Sequence, residues 1–257
     1  MRPMLQNILP GRDARFFQPS LASTRCWLIA VIMMTAVLEA TEVRKSFGGL
    51  EILHGVNFSL GHGERVALMG PSGSGKSTLL NCLCGIEPVN SGEITVAGNA
   101  LTTLDKPALD ELRRGSIGYV FQAFHLLPTL TAAENIEMAA QLAGLSRALR
   151  HERVAALLEE VGMQHRANHR PSELSGGERQ RIAVARAVVH RPAVILADEP
   201  TGSLDSVNGE RILDLIEMLS DEFRIAVLLV THDVETTRIC RRTLTMHDGA
   251  IQAPDSE

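Results

Sequence analysis

The chain is short of positive charge: 25 lysines and arginines face 30 aspartates and glutamates, a formal net charge of −5. Unspecific nucleic-acid binding draws on a basic face that displaces phosphate counterions, so this balance speaks against it. Cysteine is scarce too. Four in 257 residues, with no Cys-x-x-Cys pair, make no disulfide framework. Cys82 and Cys84, two apart in an apolar stretch, are expected as small core residues in a reduced, cytosolic setting. The apolar run CWLIAVIMMTAVL (26–38) has 13 residues, and a bilayer span needs about 20. Internal repeats and low-complexity linkers are also missing.

What is present is ordinary globular material, 45% apolar and 21% charged, enough for one large domain or two small ones. From about Ala36 the pattern is strand-rich: AVLEATEV, EILHGVNFSL, a GHGE turn, then RVALMG, a short apolar run of the kind a buried strand shows. GPSGSGKSTLLNCLCGI follows as loop then helix, closed by Gly85. SGEITVAG and GSIGYVFQ are further strand candidates. From Leu130 to Met163 the character is helical, and Thr131 with Glu134 has the spacing of a capping box. AVILADEP and IAVLLVTHD are buried-strand candidates on either side of the amphipathic SVNGERILDLIEMLSDEF, and RTLTMHDGAIQ is expected as a final hairpin. Strands alternating with helices predict an α/β core with a largely parallel sheet, and the helical stretch predicts a subdomain inserted into it at about 123–178.

Gly70-Pro71-Ser72-Gly73-Ser74-Gly75-Lys76-Ser77 fits GxxxxGK[ST] without departure, between a predicted strand and a predicted helix that continues with Thr78. Such a loop turns backbone N–H groups onto phosphates, lets Lys76 reach the β- and γ-phosphates, and sets the Ser77 hydroxyl beside Mg²⁺. The loop does not name a reaction, since small-molecule kinases use nearly the same one. Asp198 and Glu199 end the apolar run Val194–Ala197, which puts both carboxylates at the carboxyl edge of the sheet, where such sheets bind ligands. Asp198 is the expected Mg²⁺ partner and Glu199 the group to polarise an attacking water. His232 ends AVLLVTH in the same way, placed to bond a γ-phosphate. His165 and His169 have no third ligand nearby and are expected as surface residues.

A second glycine-rich helix start lies about a hundred residues further on, at Ser175-Gly176-Gly177-Glu178. Hydroxyl, bare backbone N–H groups and a helix N-terminus together make it an anion site by geometry. One nucleotide cannot use two such sites far apart on one chain. Two copies packed head to tail would bring each serine-glycine start onto the γ-phosphate held by the other, with ATP as the glue of the dimer.

Here the chain resembles a known family. Leu174-Ser-Gly-Gly-Glu178 followed by Arg-Gln-Arg is similar to the signature motif of the ATP-binding-cassette (ABC) ATPases, and the other parts stand in family order: phosphate loop, Gln122, signature, Asp198-Glu199, Ser203-Leu-Asp205, His232. The resemblance covers about residues 36–252. It implies a phosphate-loop NTPase fold of the ABC type, with an antiparallel β subdomain beside the core sheet and the inserted helical one, over 36–257. It further implies a head-to-tail ATP dimer in which Ser175 and Gly177 touch the opposite nucleotide, Gln122 senses Mg²⁺ and water, and Asp205 links the two sites. Phe47 stands where the family stacks an aromatic on adenine, and by sequence it is equally a core residue.

Members without membrane spans energise separate permeases from the cytoplasmic face of the membrane. FHLLPTLTAAEN (124–135) is then the groove for the permease, or else ordinary core packing of the helical subdomain. HRANHRPSELSGGERQR and ADEPTGSLD look most like the branch that releases lipoproteins from the bacterial inner membrane, where two different permease chains would be partners. The same branch holds macrolide and antimicrobial-peptide exporters and a cell-division complex that signals without cargo. GSLD departs from the GNLD of many relatives, without threatening ATPase activity. A phosphate-loop kinase is disfavoured by the signature. A soluble ABC protein acting on DNA or ribosomes is disfavoured by the single cassette without a long insert.

Residues 1–35 stand apart: several arginines, little periodicity, then the apolar run. The outline is that of a signal peptide, yet export would carry an ATP-dependent domain away from ATP. The segment is expected to be an extension outside the fold, with Met33 or Met34 as the natural start. Trp27 is the only tryptophan, so protein isolated from its native cells is expected to show no tryptophan emission; a tryptophan spectrum would contradict the later start.

Overall fold

The computed structural model describes residues 36–252, and the expectation for residues 1–35 lies outside them. Two sheets organise the described chain. Strands β1 (Ala36–Phe47), β2 (Leu50–Gly61), β4 (Ser91–Val96) and β5 (Asn99–Ala100) form an antiparallel sheet in the order β2-β1-β4-β5. The second sheet contains β3 (Arg65–Met69), β6 (Ile117–Val120), β7 (Val194–Asp198), β8 (Ala226–Thr231), β9 (Arg242–His247) and β10 (Ala250–Gln252), in the order β10-β9-β3-β8-β7-β6. Its first five strands in chain order pair in parallel, and β10 closes the expected hairpin on β9.

The central strands β7 and β8 are almost wholly apolar because both of their faces are covered. In β7, Val194 and Leu196 pack with the antiparallel sheet and α1 (Lys76–Leu83), while Ile195 and Ala197 pack with α5 (Gly176–Val188) and α6 (Ser206–Phe223). Strand β8 divides its side chains in the same way, with Leu228 and Val230 on one face and Val227 and Leu229 on the other. Each fully buried leucine or isoleucine here contributes about 1.5–3 kcal/mol relative to an exposed one. Cys82 and Cys84 are buried in the first cluster as expected, and burial pushes the Cys82 thiol up to about 11.

Between β6 and α5 every element is helical: α3 (Ala132–Leu142), α4 (Arg147–Glu160) and two short 3-10 turns, Gln164–Arg166 and Pro171–Glu173. The Thr131 hydroxyl accepts from Glu134 N at 3.2 Å and the Glu134 carboxylate from Thr131 N at 2.7 Å, the predicted capping box. One helix is missing from the sequence reading, α2 (Lys106–Ser116). It is short and amphipathic, with Leu112 buried and Leu109 packed beside it on the core, two leucines three apart in a mainly polar stretch; Asp105 starts it by accepting from Ala108 N at 2.9 Å. Among the described residues no helix is long and apolar enough to cross a membrane.

Candidate active site

Because β3, β6, β7 and β8 run in parallel, their carboxyl ends lie on one edge of the sheet. The segments leaving those ends line a single cleft of about 790 Å³, within the range of small-molecule sites. Pro71, Ser72, Gly73, Gly75, Lys76, Ser77 and Thr78 come from the loop after β3, Gln122 from the end of β6, Asp198 and Glu199 from β7, and His232 from β8. Ile52, which the sequence did not single out, completes the lining from the antiparallel sheet.

The glycine-rich loop holds its shape by close backbone contact. A Cβ on Gly70 would lie 2.1 Å from the Met246 carbonyl oxygen, so no other residue fits there. Gly70 and Ser74 sit behind the loop and are not part of the lining; Ser74 is buried and its N–H donates to Pro71 O at 3.3 Å. The buried Lys76 Nζ donates to Gly70 O and Pro71 O, each at 2.7 Å. Helix α1 begins at Gly75 with no side-chain cap, which leaves its first-turn N–H groups facing the cleft as anion donors.

Burial is the largest influence on Asp198 and pushes its carboxyl up; a hydrogen bond from Ser77 and the charge of Lys76 pull it back, while Glu199 adds to the rise. A desolvated carboxylate of this kind gains from a dication. The oxygens of Ser77, Asp198 and Gln122 are hard ligands in one cleft, so the donor set fits Mg²⁺.

Glu199 adopts a left-handed backbone (φ 47°), unusual for a residue with a side chain, which turns it off the line of β7. Its Oε1 lies 2.6 Å from His232 Nδ1, and its Oε2 3.5 Å from Thr231 Oγ1. Separate tasks are expected of these two groups from the sequence; the neighbouring ends of β7 and β8 join them. The bond leaves His232 Nε2 free and raises the imidazole above its ordinary value.

The second glycine-rich start does not line this cleft. Ser175 caps α5, its hydroxyl accepting from Glu178 N at 3.3 Å. The Glu178 side chain, expected among the nucleotide contacts, is instead taken up within the chain. It accepts from Ser175 N at 2.8 Å and from Arg166 at 3.2 Å, and these bonds hold its carboxyl below the usual range. A Cβ on Gly177 would stand 2.9 Å from Asn208 Oδ1, so that glycine also permits α5 to approach α6. Asp205 caps α6 through Asn208 N at 2.9 Å and Asn208 Nδ2 at 2.6 Å. Ser203 Oγ donates to Gln122 O at 2.8 Å, tying the loop after β7 to the end of β6.

Phe47 is 46% exposed and outside the cleft lining, with Lys45 Nζ 4.6 Å from its ring centroid; the core alternative is excluded. Segment 124–135 divides: Leu126 packs on the core and Ala132 is buried, while Leu127 is exposed. His165 is exposed, and His169 lies 3.1 Å from Arg166 Nη1.

A parallel sheet with a phosphate loop, an acid pair and a histidine converging at its carboxyl edge defines a phosphate-loop NTPase. A model of the ABC transporter family matches residues 53–202. The chain belongs to that family, as an ATP-hydrolysing cassette with its fold. It is 43% identical over 224 residues, 85% of its length, to the pyoverdine export ATP-binding/permease protein PvdT of two strains of Pseudomonas fluorescens. It spans about a third of those proteins' length (34%). Among solved structures it is similar to the dimeric MJ0796, a bacterial ABC transporter cassette, with TM-score 0.77 and 38% identity over 84% of this chain and 97% of that one. A post-hydrolysis MJ0796 dimer bound to ADP and Pi gives TM-score 0.76, also at 38% identity over 84% and 97%. CbiO1 from Clostridium perfringens, part of the ABC transporter complex cbiONQ, gives 0.77 at 28% identity, over 85% of this chain and 88% of that one.

His232 is expected to titrate above the free-imidazole value of about 6.5 in an NMR pH series, and to fall back toward it in Glu199→Gln. The pair's stabilising contribution is then fully present below the free-imidazole value and fades as pH rises through the folded-state midpoint. A His232 midpoint that does not respond to Glu199→Gln would contradict the pairing.

Proposed function

We propose that the chain is the ATP-driven motor of a membrane transporter, working as a head-to-tail homodimer against a separate permease. The observation that carries the reading is the convergence of Lys76, Ser77, Gln122, Asp198, Glu199 and His232 on one cleft that excludes the signature residues of the same chain. The N–H groups of the lining residues Gly73, Gly75, Lys76, Ser77 and Thr78, together with the Lys76 ammonium, hold the β- and γ-phosphates. Ser77, Asp198 and Gln122 hold Mg²⁺, which neutralises phosphate charge when bound. Glu199 takes the proton from the attacking water, and His232 holds Glu199 through Nδ1 while Nε2 meets the γ-phosphate. Phe47, exposed on the antiparallel sheet, stacks on adenine.

Ser175, Gly176 and Gly177 act on the nucleotide of the other copy, and the Asp205 loop links the two sites. Glu178 supports Ser175 from behind and does not touch nucleotide. The similar MJ0796 structures are dimers, one of them bound to ADP and Pi, which supports the composite site. Leu127 and its neighbours in 124–135 receive the permease, and the motor sits on the cytoplasmic face of a bacterial inner membrane.

For cargo, the signature and acid-pair stretches support release of lipoproteins from that membrane. A second reading, export of a small molecule, is favoured by the 43% identity to pyoverdine exporters. Ser175→Arg is expected to leave ATP affinity of the isolated chain within about twofold while lowering turnover by about 100-fold, the scale of one lost transition-state donor. Loss of ATP binding by monomers would place Ser175 in its own chain's site and defeat the composite arrangement. Affinity capture of tagged Glu199→Gln chain from native membranes with ATP separates the cargo readings. Two related permease chains support lipoprotein release, one permease species supports export, and no membrane protein at all rules out the transport role.

A further inference from the structure

Helix α5 carries a buried amide that the chemistry above leaves unused. Gln180, five residues past Ser175, has no exposed surface. Its Nε2 donates to Pro200 O at 2.6 Å and to Phe121 O at 3.4 Å, while Oε1 is buried without a partner. Turning the amide over would set its oxygen against two carbonyl oxygens, so the acceptors fix the orientation. An apolar side chain of the same length would leave no orphaned oxygen. What the amide adds is its hold on two main-chain carbonyls.

Those carbonyls stand at particular places. Phe121 immediately precedes Gln122, and Pro200 immediately follows Glu199. Strands β6 and β7 are hydrogen-bonded up to Val120 and Ala197, and past that point they diverge into separate loops. Gln180 bridges the divergence, and Ser203 adds a second tie through Gln122 O. Other α5 side chains grip only one loop. Arg186 donates to Phe124 O at 2.9 Å and His125 O at 2.5 Å, and Arg179 lies 4.9 Å from the Phe124 ring. Only Gln180 among them reaches both loops.

We propose that Gln180 is a positioning residue for ATP hydrolysis, locking the main chain beside Gln122 to the main chain beside Glu199 so that the signature helix and both water-facing side chains move as one piece. The proposal rests on the roles given above to Gln122 and Glu199. It also joins the two halves of the composite site within one chain. A shift of the signature helix on a partner's nucleotide is felt at once by the groups around the chain's own nucleotide.

The test uses the full chain with Gln180→Met, which keeps length and volume but loses both donors. Gln180→Asn keeps the amide one methylene too short, and carries the same expectation should the methionine variant not fold. Ile182→Val, fully buried on the same helix and with no polar group to bond either loop, controls for general loosening. The Gln180 variants are expected to lose turnover by about tenfold or more, as a displaced catalytic group does, with ATP affinity held within twofold. The His232 NMR midpoint is expected to fall toward the free-imidazole value, because Glu199 is no longer held. Ile182→Val moves neither. An unmoved His232 midpoint, or a turnover loss matched by Ile182→Val, overturns the proposal. The midpoint reads the lock without activity, so a parent chain with no turnover would defeat the functional reading alone.

Discussion

Parallel pairing obliges neighbouring strands to end on the same side, and this one constraint assembles the site. The registers Met69 with Thr231, Asp198 with Val230, and Val120 with Ala197 bring four strand ends to one edge. Nothing local in the chain places Glu199 beside His232, which are 33 residues apart. The sheet does, because β7 and β8 are neighbours and both continue past the last ladder bond. Their apolar runs therefore serve the chemistry indirectly: a buried strand is a rigid rod, and the polar residue at its end inherits that rigidity.

The signature side is built on a different principle. Ser175, Glu178 and Asp205 are engaged in helix caps within their own chain, and Gly177 sits against Asn208 of the next helix. The start of α5 is thus pre-organised by its capping box. In the proposed dimer, a phosphate arriving there would meet a formed turn, with little ordering left to oppose binding. The same helix bonds the loops on either side of the cleft through Gln180 and Arg186. Signature and cleft are thereby bonded together within one chain, although in the proposed dimer they would serve different nucleotides.

Much of this is legible in the sequence. The phosphate loop is a contiguous pattern, and β7 announces itself by four apolar residues ended by two acids. The capping box at Thr131 and Glu134 has a fixed spacing that needs no tertiary information. Ser175 and Glu178 have that same spacing, so the in-chain use of Glu178 had a signal that the likeness to a nucleotide-binding motif overrode. Helix α2 carries a shorter signal, Asp105 as cap and Leu109 and Leu112 three apart in a polar stretch. Other features had none. Phe47 is exposed or buried according to how β1 and β2 pair, which a single sequence does not state. The Glu199–His232 bond depends on strand order, and Gln180 has the composition of any polar helix residue until its two carbonyl partners are seen. What the sequence withholds is non-local contact; what it discloses is local geometry.

The central claim is that ATP bridges two copies, with the cleft of one against the signature of the other. The most direct measurement is the mass of the full-length Glu199→Gln chain by light scattering, with and without ATP and Mg²⁺. The account predicts a monomer that doubles in mass when ATP is added and returns to a monomer when the nucleotide is removed. A chain that binds ATP and keeps its monomer mass over the same concentrations would contradict it.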